Sequence, residues 1–205
     1  MSNRLSRVQS SNGQAAARIF AANDRLNQLL IERLAPEVWS AAPPGPVSAG
    51  KGRASKVATD RVRASKVRSV AAIFTHVHNV RCKWIRLSAP YLGVPAQLNR
   101  LHCTPEEARV GLAESAVPCA EMLSEGLDGS GRIQAFHRDG WAQPWPAGME
   151  MLCYMVAHEA HHRGQVCMLA HQLGFPLAPG VTSELWNWEK LWRERGWALE
   201  GGGGS

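Results

Sequence analysis

The sequence predicts an all-α protein, a four-helix bundle with a short additional C-terminal helix. Apolar residues recur at helical spacing in four long segments, strand-like alternation is weak along the chain, and proline- and glycine-containing stretches separate the segments. With 205 residues, 45% of them hydrophobic and 20% charged, the chain has the size and composition of one globular domain. We therefore assign residues 1–198 to a single domain and residues 199–205 to a flexible linker added in cloning.

The first helix is expected from about Gln14 to Leu34, and Pro36 ends it. Its apolar face consists of Ile19, Phe20, Ala22, Leu26, Leu29 and Leu30. Residues 40–68 are expected to be a loop and basic insertion within the domain, because the stretch up to residue 55 is rich in Ala, Pro, Gly and Ser. In this insertion Arg53-Ala-Ser-Lys-Val57 recurs ten residues later, and one such repeat predicts no repeat architecture.

The second helix begins near Ser69, a plausible N-cap, and ends before Pro90. The third begins at Thr104-Pro-Glu-Glu107, which combines an N-cap threonine, a proline at the first helical position and a glutamate at the third. It should continue to about Glu125, and Pro118 should kink it or end it early.

The fourth long helix is expected from about Ala147 to Leu173, with Gly174 just beyond its end. A last short helix should run from about Ser183 to Arg195. It carries Trp186, Trp188 and Trp192, which we expect to cap the bundle core. A dimer contact is the alternative for these tryptophans.

Composition and charge exclude some classes of protein. No apolar run approaches the length of a membrane span, and residues 1–13 have no apolar core typical of a secretory signal, so a cytoplasmic protein is expected. The five scattered cysteines are then expected to be reduced and to pack as small hydrophobic residues.

One segment of the chain is strongly basic. Seven basic residues lie between Lys51 and Arg68, and Asp60 is the single acidic residue among them. No aromatic residue is interleaved with them, which favours a solvated segment over nucleic-acid binding.

The candidate functional residues are histidines. His158 and His162 are four residues apart, so on a helix they share a face, and their spacing suits two ligands of one metal ion. They fall on the apolar stripe of the fourth helix, where a metal would satisfy both imidazoles. A third ligand should come from His76 or His78 on the second helix, and the periodicity of that helix favours His76 by a small margin.

Three segments carry a resemblance to a known family: Thr75-His-Val-His-Asn-Val-Arg81, His158-Glu-Ala-His-His-Arg-Gly-Gln165 and Trp186-Asn-Trp-Glu-Lys190. The chain resembles the DinB-like metal-binding proteins from about residue 14 to 195, although residues 40–68 match no part of the pattern. The resemblance implies the ligands His76, His158 and His162, with one position left for water or a thiol. It also implies a homodimer and a small-molecule substrate such as a low-molecular-weight thiol.

The ligand set narrows the metal to zinc or nickel first, with iron, manganese and copper as further options. The first functional hypothesis is a metal-dependent thiol transferase or hydrolase, since such an ion stabilises a thiolate and polarises a carbonyl. The second is a non-catalytic metal-binding or scaffold protein. The third is a zinc protease, because residues 158–162 match H-E-x-x-H with Glu159 as general base. The extended form of that motif fails, because position 165 is glutamine and position 168 is methionine.

Five other residues are candidates near this site. Arg163 and Gln165 are expected to pack or hydrogen-bond at helix contacts, with orientation of the ligand imidazoles as the alternative. His161 lies on the flank of the ligand face, where it either orients a ligand or faces solvent. His78 and Asn79 either border the substrate pocket or belong to a polar helix face. The other histidines, at positions 102, 137 and 171, are expected at the surface.

Overall fold

The structure, a computed structural model, describes residues 11–41, 68–129, 131–138, 140 and 142–197. Six helices account for most of the described residues: α1 (Asn12–Arg33), α2 (Val70–Ser88), α3 (Pro105–Asp128), α4 (Met149–Gln172), α5 (Val181–Trp186) and α6 (Trp188–Glu194). Two strands of two residues each, β1 (Ala135–Phe136) and β2 (Trp145–Pro146), pair in an antiparallel hairpin. The prediction of an all-α protein is confirmed.

Side-chain caps explain where the helices begin. Ser69 accepts a hydrogen bond from the backbone N–H of Ala72, and Thr104 and Glu107 form a reciprocal capping box. Both N-caps are therefore confirmed. Ser11 caps α1 in the same way, through the N–H of Gln14. These bonds satisfy backbone donors that have no partner within the helix.

Two predictions about the helices are wrong, namely the early end of α3 at Pro118 and the single helix after α4. Helix α3 continues through Pro118 to Asp128, because the buried Pro118 is held in the core and tertiary packing supplies most of the stability of a helix. The predicted C-terminal helix is two helices, separated at Asn187, whose side chain accepts a hydrogen bond from the N–H of Lys190 and so caps α6. The hairpin was not predicted, since two-residue strands are too short to show alternation.

The four long helices run up, down, down and up. One apolar cluster joins the C-terminal halves of α1 and α4 to the N-terminal halves of α2 and α3, and it is centred on Leu30, Phe74, Leu112 and Leu169. A second cluster joins the opposite halves and is centred on Phe20, Trp84, Met122 and Met155. Helix α2 is therefore antiparallel to α4 and parallel to α3, and it packs against both.

A polar layer separates the two apolar clusters. Its centre is Arg81, which has no exposed surface and forms ion pairs with Asp24 and Glu159 at 2.7 Å each. Asn23 and Asn27 complete the layer by donating to the same Glu159 oxygen, at 2.6 and 2.7 Å. Charged groups are rarely buried unless they are paired, and here each charge has a partner.

The structure corrects the expectation for Trp186, whereas Trp188 and Trp192 are partly buried. Trp186 is 78% exposed, and Leu191 is the buried residue of α6, so Trp186 does not cap the core. All five cysteines are free thiols; Cys82, Cys103 and Cys119 are buried as expected, whereas Cys153 is exposed. The surface positions of His102, His137 and His171 are confirmed.

No helix in the described part of the chain combines the length and hydropathy needed to span a bilayer. The repeat at residues 53–67 and almost all of the basic insertion lie outside the described residues. The linker at residues 199–205 lies outside them as well.

Candidate metal centre

Three histidines meet between α2 and α4. One ring nitrogen from each of His76, His158 and His162 lies within 4.8 Å of the other two. The Nε2 atoms of His158 and His162 are 3.2 Å apart, and the ring centroid of His76 lies 5.4 Å from that of His158 and 4.8 Å from that of His162. The fold therefore brings together the three histidines that the sequence predicted as ligands.

The distances between these nitrogens suit a metal ion. Zinc binds imidazole nitrogen at about 2.0–2.1 Å, which in a tetrahedral site separates two nitrogens by about 3.3 Å. The Nε2 atoms of His158 and His162 are already at that separation. His76 comes from a different helix, and one of its ring nitrogens lies within 4.8 Å of the nitrogens of the other two. The residues present fit a divalent cation.

The imidazoles are in the protonation state that binds metals. Burial, with the positive charge of Arg68 as the next cause, lowers the pKa of His76 to about 3. Burial and the neighbouring His162 lower the pKa of His158 to about 4, and burial also lowers the pKa of His162. All three rings are therefore neutral at pH 7, with lone pairs available for coordination.

A glutamine amide sets the orientation of His162. The Nδ1 atom of His162 lies 2.8 Å from Oε1 of Gln165, and Nε2 of Gln165 lies 2.9 Å from Nε2 of His161. The amide oxygen can only accept, so Nδ1 of His162 carries the proton and its Nε2 presents a lone pair to the centre. Gln165 and the exposed His161 are thus linked to a candidate ligand.

Aromatic rings form one wall of the centre. The ring of Trp84 lies 5.5 Å from that of His158 in an edge-to-face arrangement, and Tyr154 stacks on His158 at 6.3 Å. A cleft of about 970 Å³ adjoins the centre, and it is lined by the three histidines, Ile73, other residues of α4 and two arginines, Arg68 and Arg138. A small molecule can therefore reach the histidines from solvent.

His78 and Asn79 do not line this cleft. His78 is fully buried, with its Nδ1 3.2 Å from Ser115 Oγ and its Nε2 2.8 Å from the carbonyl oxygen of Ala96. Asn79 exchanges two hydrogen bonds with the backbone of Leu98. Side chains two positions apart on a helix point in directions that differ by about 200°. His78 therefore faces away from His76 and toward the connection that leads from α2 to α3.

Glu159 is not available as a general base. Its two carboxylate oxygens bind Arg81, Asn23 and Asn27, and the side chain has no exposed surface. Burial alone would raise the pKa of Glu159, but the charge and hydrogen bonds of Arg81 hold it below its usual value. The carboxylate therefore faces the interior on the side of α1, which is against the protease hypothesis.

Arg163 also belongs to the helix contacts. It is half-buried and donates a hydrogen bond to Oδ1 of Asn27 at 2.9 Å, on the side of α4 that faces α1. Its guanidinium thus extends the polar layer and holds two helices together. The sequence allowed two roles for Arg163, a contact between helices or the orientation of a ligand imidazole. The position of its side chain agrees with the contact between helices.

Three arginines near the centre, Arg68, Arg81 and Arg138, were not predicted as residues of the site. Arg81 was detectable, because it stands four residues after Val77 and three before Trp84, on the apolar stripe of α2. A charge at such a position indicates a buried partner. Arg68 and Arg138 lie at the ends of connections, and no periodic pattern identifies them.

Together, the fold and the three histidines define an all-α bundle protein with a candidate metal centre between antiparallel helices. The DinB family profile matches residues 1–189, which is most of the chain. The chain therefore belongs to the DinB family. A search of curated proteins and a search of solved structures each return no match.

Proposed function

We propose that this DinB-family protein binds one divalent metal ion, zinc or nickel, through His76, His158 and His162. The convergence of three neutral imidazoles from two helices at one point is the observation that supports the proposal. A shared cation would give the ring nitrogens that face one another a common partner, which buried polar atoms require. Gln165 supports the same assignment, since an outer hydrogen bond that fixes the tautomer is typical of a metal-binding histidine.

We further propose a metal-dependent thiol transferase or hydrolase that acts on a small molecule. A divalent ion held by three neutral ligands keeps its full charge, which favours the thiolate form of a thiol and polarises a carbonyl. The chain contributes an open cleft of about 970 Å³ for the substrate and an aromatic wall of Trp84 and Tyr154 that shields one side of the centre from water. We also propose that the protein is a homodimer and that it is cytoplasmic. Sedimentation of the purified protein tests the dimer.

Elemental analysis of protein purified without a metal-affinity step tests metal binding. We expect about one equivalent of metal in the wild type and a loss of roughly tenfold or more in His76→Ala and in His162→Ala, since each removes one of three ligands. His171→Ala is the matched control, because His171 lies on the same helix as His162 but is exposed and outside the centre. Full occupancy in His76→Ala would contradict the assignment.

Assays with a panel of thiols, electrophiles and esters then test the reaction. We expect turnover that is lost with a chelator and in His162→Ala. Tight, stoichiometric metal without turnover on any substrate would favour the alternative, a non-catalytic metal-binding or scaffold protein. The protease hypothesis predicts peptide cleavage that Glu159→Gln abolishes, and we expect no cleavage.

A further inference from the structure

The two histidines of α4 are held in place in different ways. His162 is fixed by a hydrogen bond, because its Nδ1 lies 2.8 Å from Oε1 of Gln165. The Nδ1 atom of His158 is buried, and within the described ranges of the chain it has no hydrogen-bond partner. Histidines that bind metals usually have such an outer partner, which sets the orientation of the ring. The orientation of His158 must therefore come from contacts of another kind.

Two aromatic rings pack against the imidazole of His158. Trp84 of α2 meets it edge to face, with ring centroids 5.5 Å apart and planes at 72°. Tyr154, one turn earlier on α4, stacks on it at 6.3 Å with planes at 18°, and the rings of Trp84 and Tyr154 lie 6.0 Å apart. Trp84 has no exposed surface and belongs to the apolar cluster around Met155, so close packing leaves its ring little freedom to move. The imidazole is thus held against a ring that is itself fixed in the core.

Core stability alone does not explain the tryptophan at position 84. Its indole Nε1 is buried, and no described residue accepts a hydrogen bond from it. Burying an unpaired N–H costs free energy, and buried tryptophans usually find a partner for it. Phenylalanine would fill much of this space without that cost. The feature that phenylalanine would lack is the larger ring, which extends from α2 to an imidazole of α4.

We propose that Trp84 is a positioning residue of the metal centre, whose ring holds the imidazole of His158 with Nε2 directed toward His162. The proposal rests on the proposed function, because it concerns the same three ligands. The Nε2 atoms of His158 and His162 are 3.2 Å apart in the structure, the separation that suits one shared ion. Packing against the indole keeps them there, in the role that the amide of Gln165 has for His162. Trp84 itself does not touch the ion and acts through His158.

The affinity for zinc and the visible spectrum of bound cobalt(II) test this role, since the spectrum reports the arrangement of the ligands. In Trp84→Leu we expect the affinity for zinc, measured by competition with a fluorescent chelator, to fall about tenfold, the upper range for an aromatic contact. The cobalt spectrum should change as well, because His158 then coordinates in another orientation or not at all. Trp84→Phe keeps a smaller ring beside His158, so its affinity should fall about threefold and its spectrum should shift in the same direction.

Phe136→Leu is the matched control. Phe136 is as fully buried as Trp84 and belongs to the same apolar cluster, but it packs on Gly126 of α3. We expect Phe136→Leu to lower the free energy of unfolding, measured in urea, and to leave the zinc affinity and the cobalt spectrum as in the wild type. A purely structural role for Trp84 predicts this same pattern in Trp84→Leu. If Trp84→Leu does not fold, Trp84→Phe decides the question by the same two measurements.

The outcomes separate this role from the proposed function. Wild-type zinc affinity and a wild-type cobalt spectrum in the Trp84 variants would overturn the role of Trp84 and leave the metal centre standing. A spectral change of equal size in Phe136→Leu would also overturn it, because general destabilisation would then explain both. A wild-type protein that takes up neither zinc nor cobalt would overturn the metal centre, and the role of Trp84 with it.

Discussion

A single amide determines how one ligand histidine faces the centre. Gln165 accepts from Nδ1 of His162 and donates to Nε2 of His161, so the orientation of its amide is fixed at both ends. Without this contact the ring of His162 can adopt the other tautomer or turn away from His158. The residue thus acts on metal binding without touching the ion.

Gln165→Leu should therefore weaken metal binding by about 10–100-fold, the usual effect of removing such an outer hydrogen bond. Competition with a fluorescent chelator measures the affinity. Gln172→Leu is the matched control, since Gln172 lines the same cleft two turns further along α4. An unchanged affinity in Gln165→Leu would show that the tautomer of His162 is fixed by other means.

Arg81 is expected to contribute strongly to stability, because it is fully buried and pairs with two carboxylates. Its replacement by methionine would remove the ion-pair partner of both Glu159 and Asp24, which stay buried. We expect Arg81→Met to lower the free energy of unfolding by about 3–5 kcal/mol, measured by urea denaturation. Arg109→Met breaks an exposed ion pair with Glu106 and should leave the free energy of unfolding nearly unchanged. Similar losses in both variants would contradict the importance of the buried layer.

At the scale of elements, local sequence signals predicted where the helices begin. They failed where tertiary contacts determine the course of a helix. The caps at Ser69 and Thr104 were predictable because each bond forms within four residues of sequence. The passage of α3 through Pro118 was not, since it depends on the packing of α3 against other helices. In the site, four-residue spacing predicted the proximity of His158 and His162, whereas the choice of His76 over His78 depended on the rotation of α2 in the bundle.

Two helical glycines test how the elements pack. A Cβ added to Gly126 of α3 would lie 2.7 Å from Cζ of Phe136, the fully buried residue of β1, whereas one added to Gly164 of α4 would meet no atom within 4 Å. We expect Gly126→Ala to destabilise the protein by about 1–3 kcal/mol through overpacking. Gly164→Ala should stabilise it by about 0.5–1 kcal/mol through helix propensity.

Thermal or urea unfolding of the two variants measures both effects. The same residue change is made in each, so the contrast isolates the contact between the hairpin and α3. If Gly126→Ala were as stable as the wild type, the hairpin would not be packed as closely on α3 as the structure indicates.

At the scale of the whole molecule, the candidate centre connects distant parts of the chain. His76 and His158 are 82 positions apart in sequence and belong to antiparallel helices on one side of the bundle. A cation bound by both would stabilise only the folded state, because the unfolded chain does not hold these side chains together.

Zinc should therefore raise the thermal unfolding midpoint. At a free concentration 100-fold above its dissociation constant it adds about 2.7 kcal/mol, which is roughly 5–10 °C for a chain of this size. Differential scanning calorimetry measures the shift, which a chelator should reverse. His76→Ala should show almost no shift, and a full shift in that variant would place the stabilising cation elsewhere.

The buried polar layer also selects one alignment of the four helices. If α2 slid by one turn, about 5.4 Å, the guanidinium of Arg81 would enter an apolar cluster and leave two carboxylates behind. Apolar side chains tolerate such a shift far better, because one leucine can replace another in a hydrophobic contact. Misaligned bundles are therefore less stable. The stable alignment is the one that places His76 of α2 opposite His158 and His162 of α4.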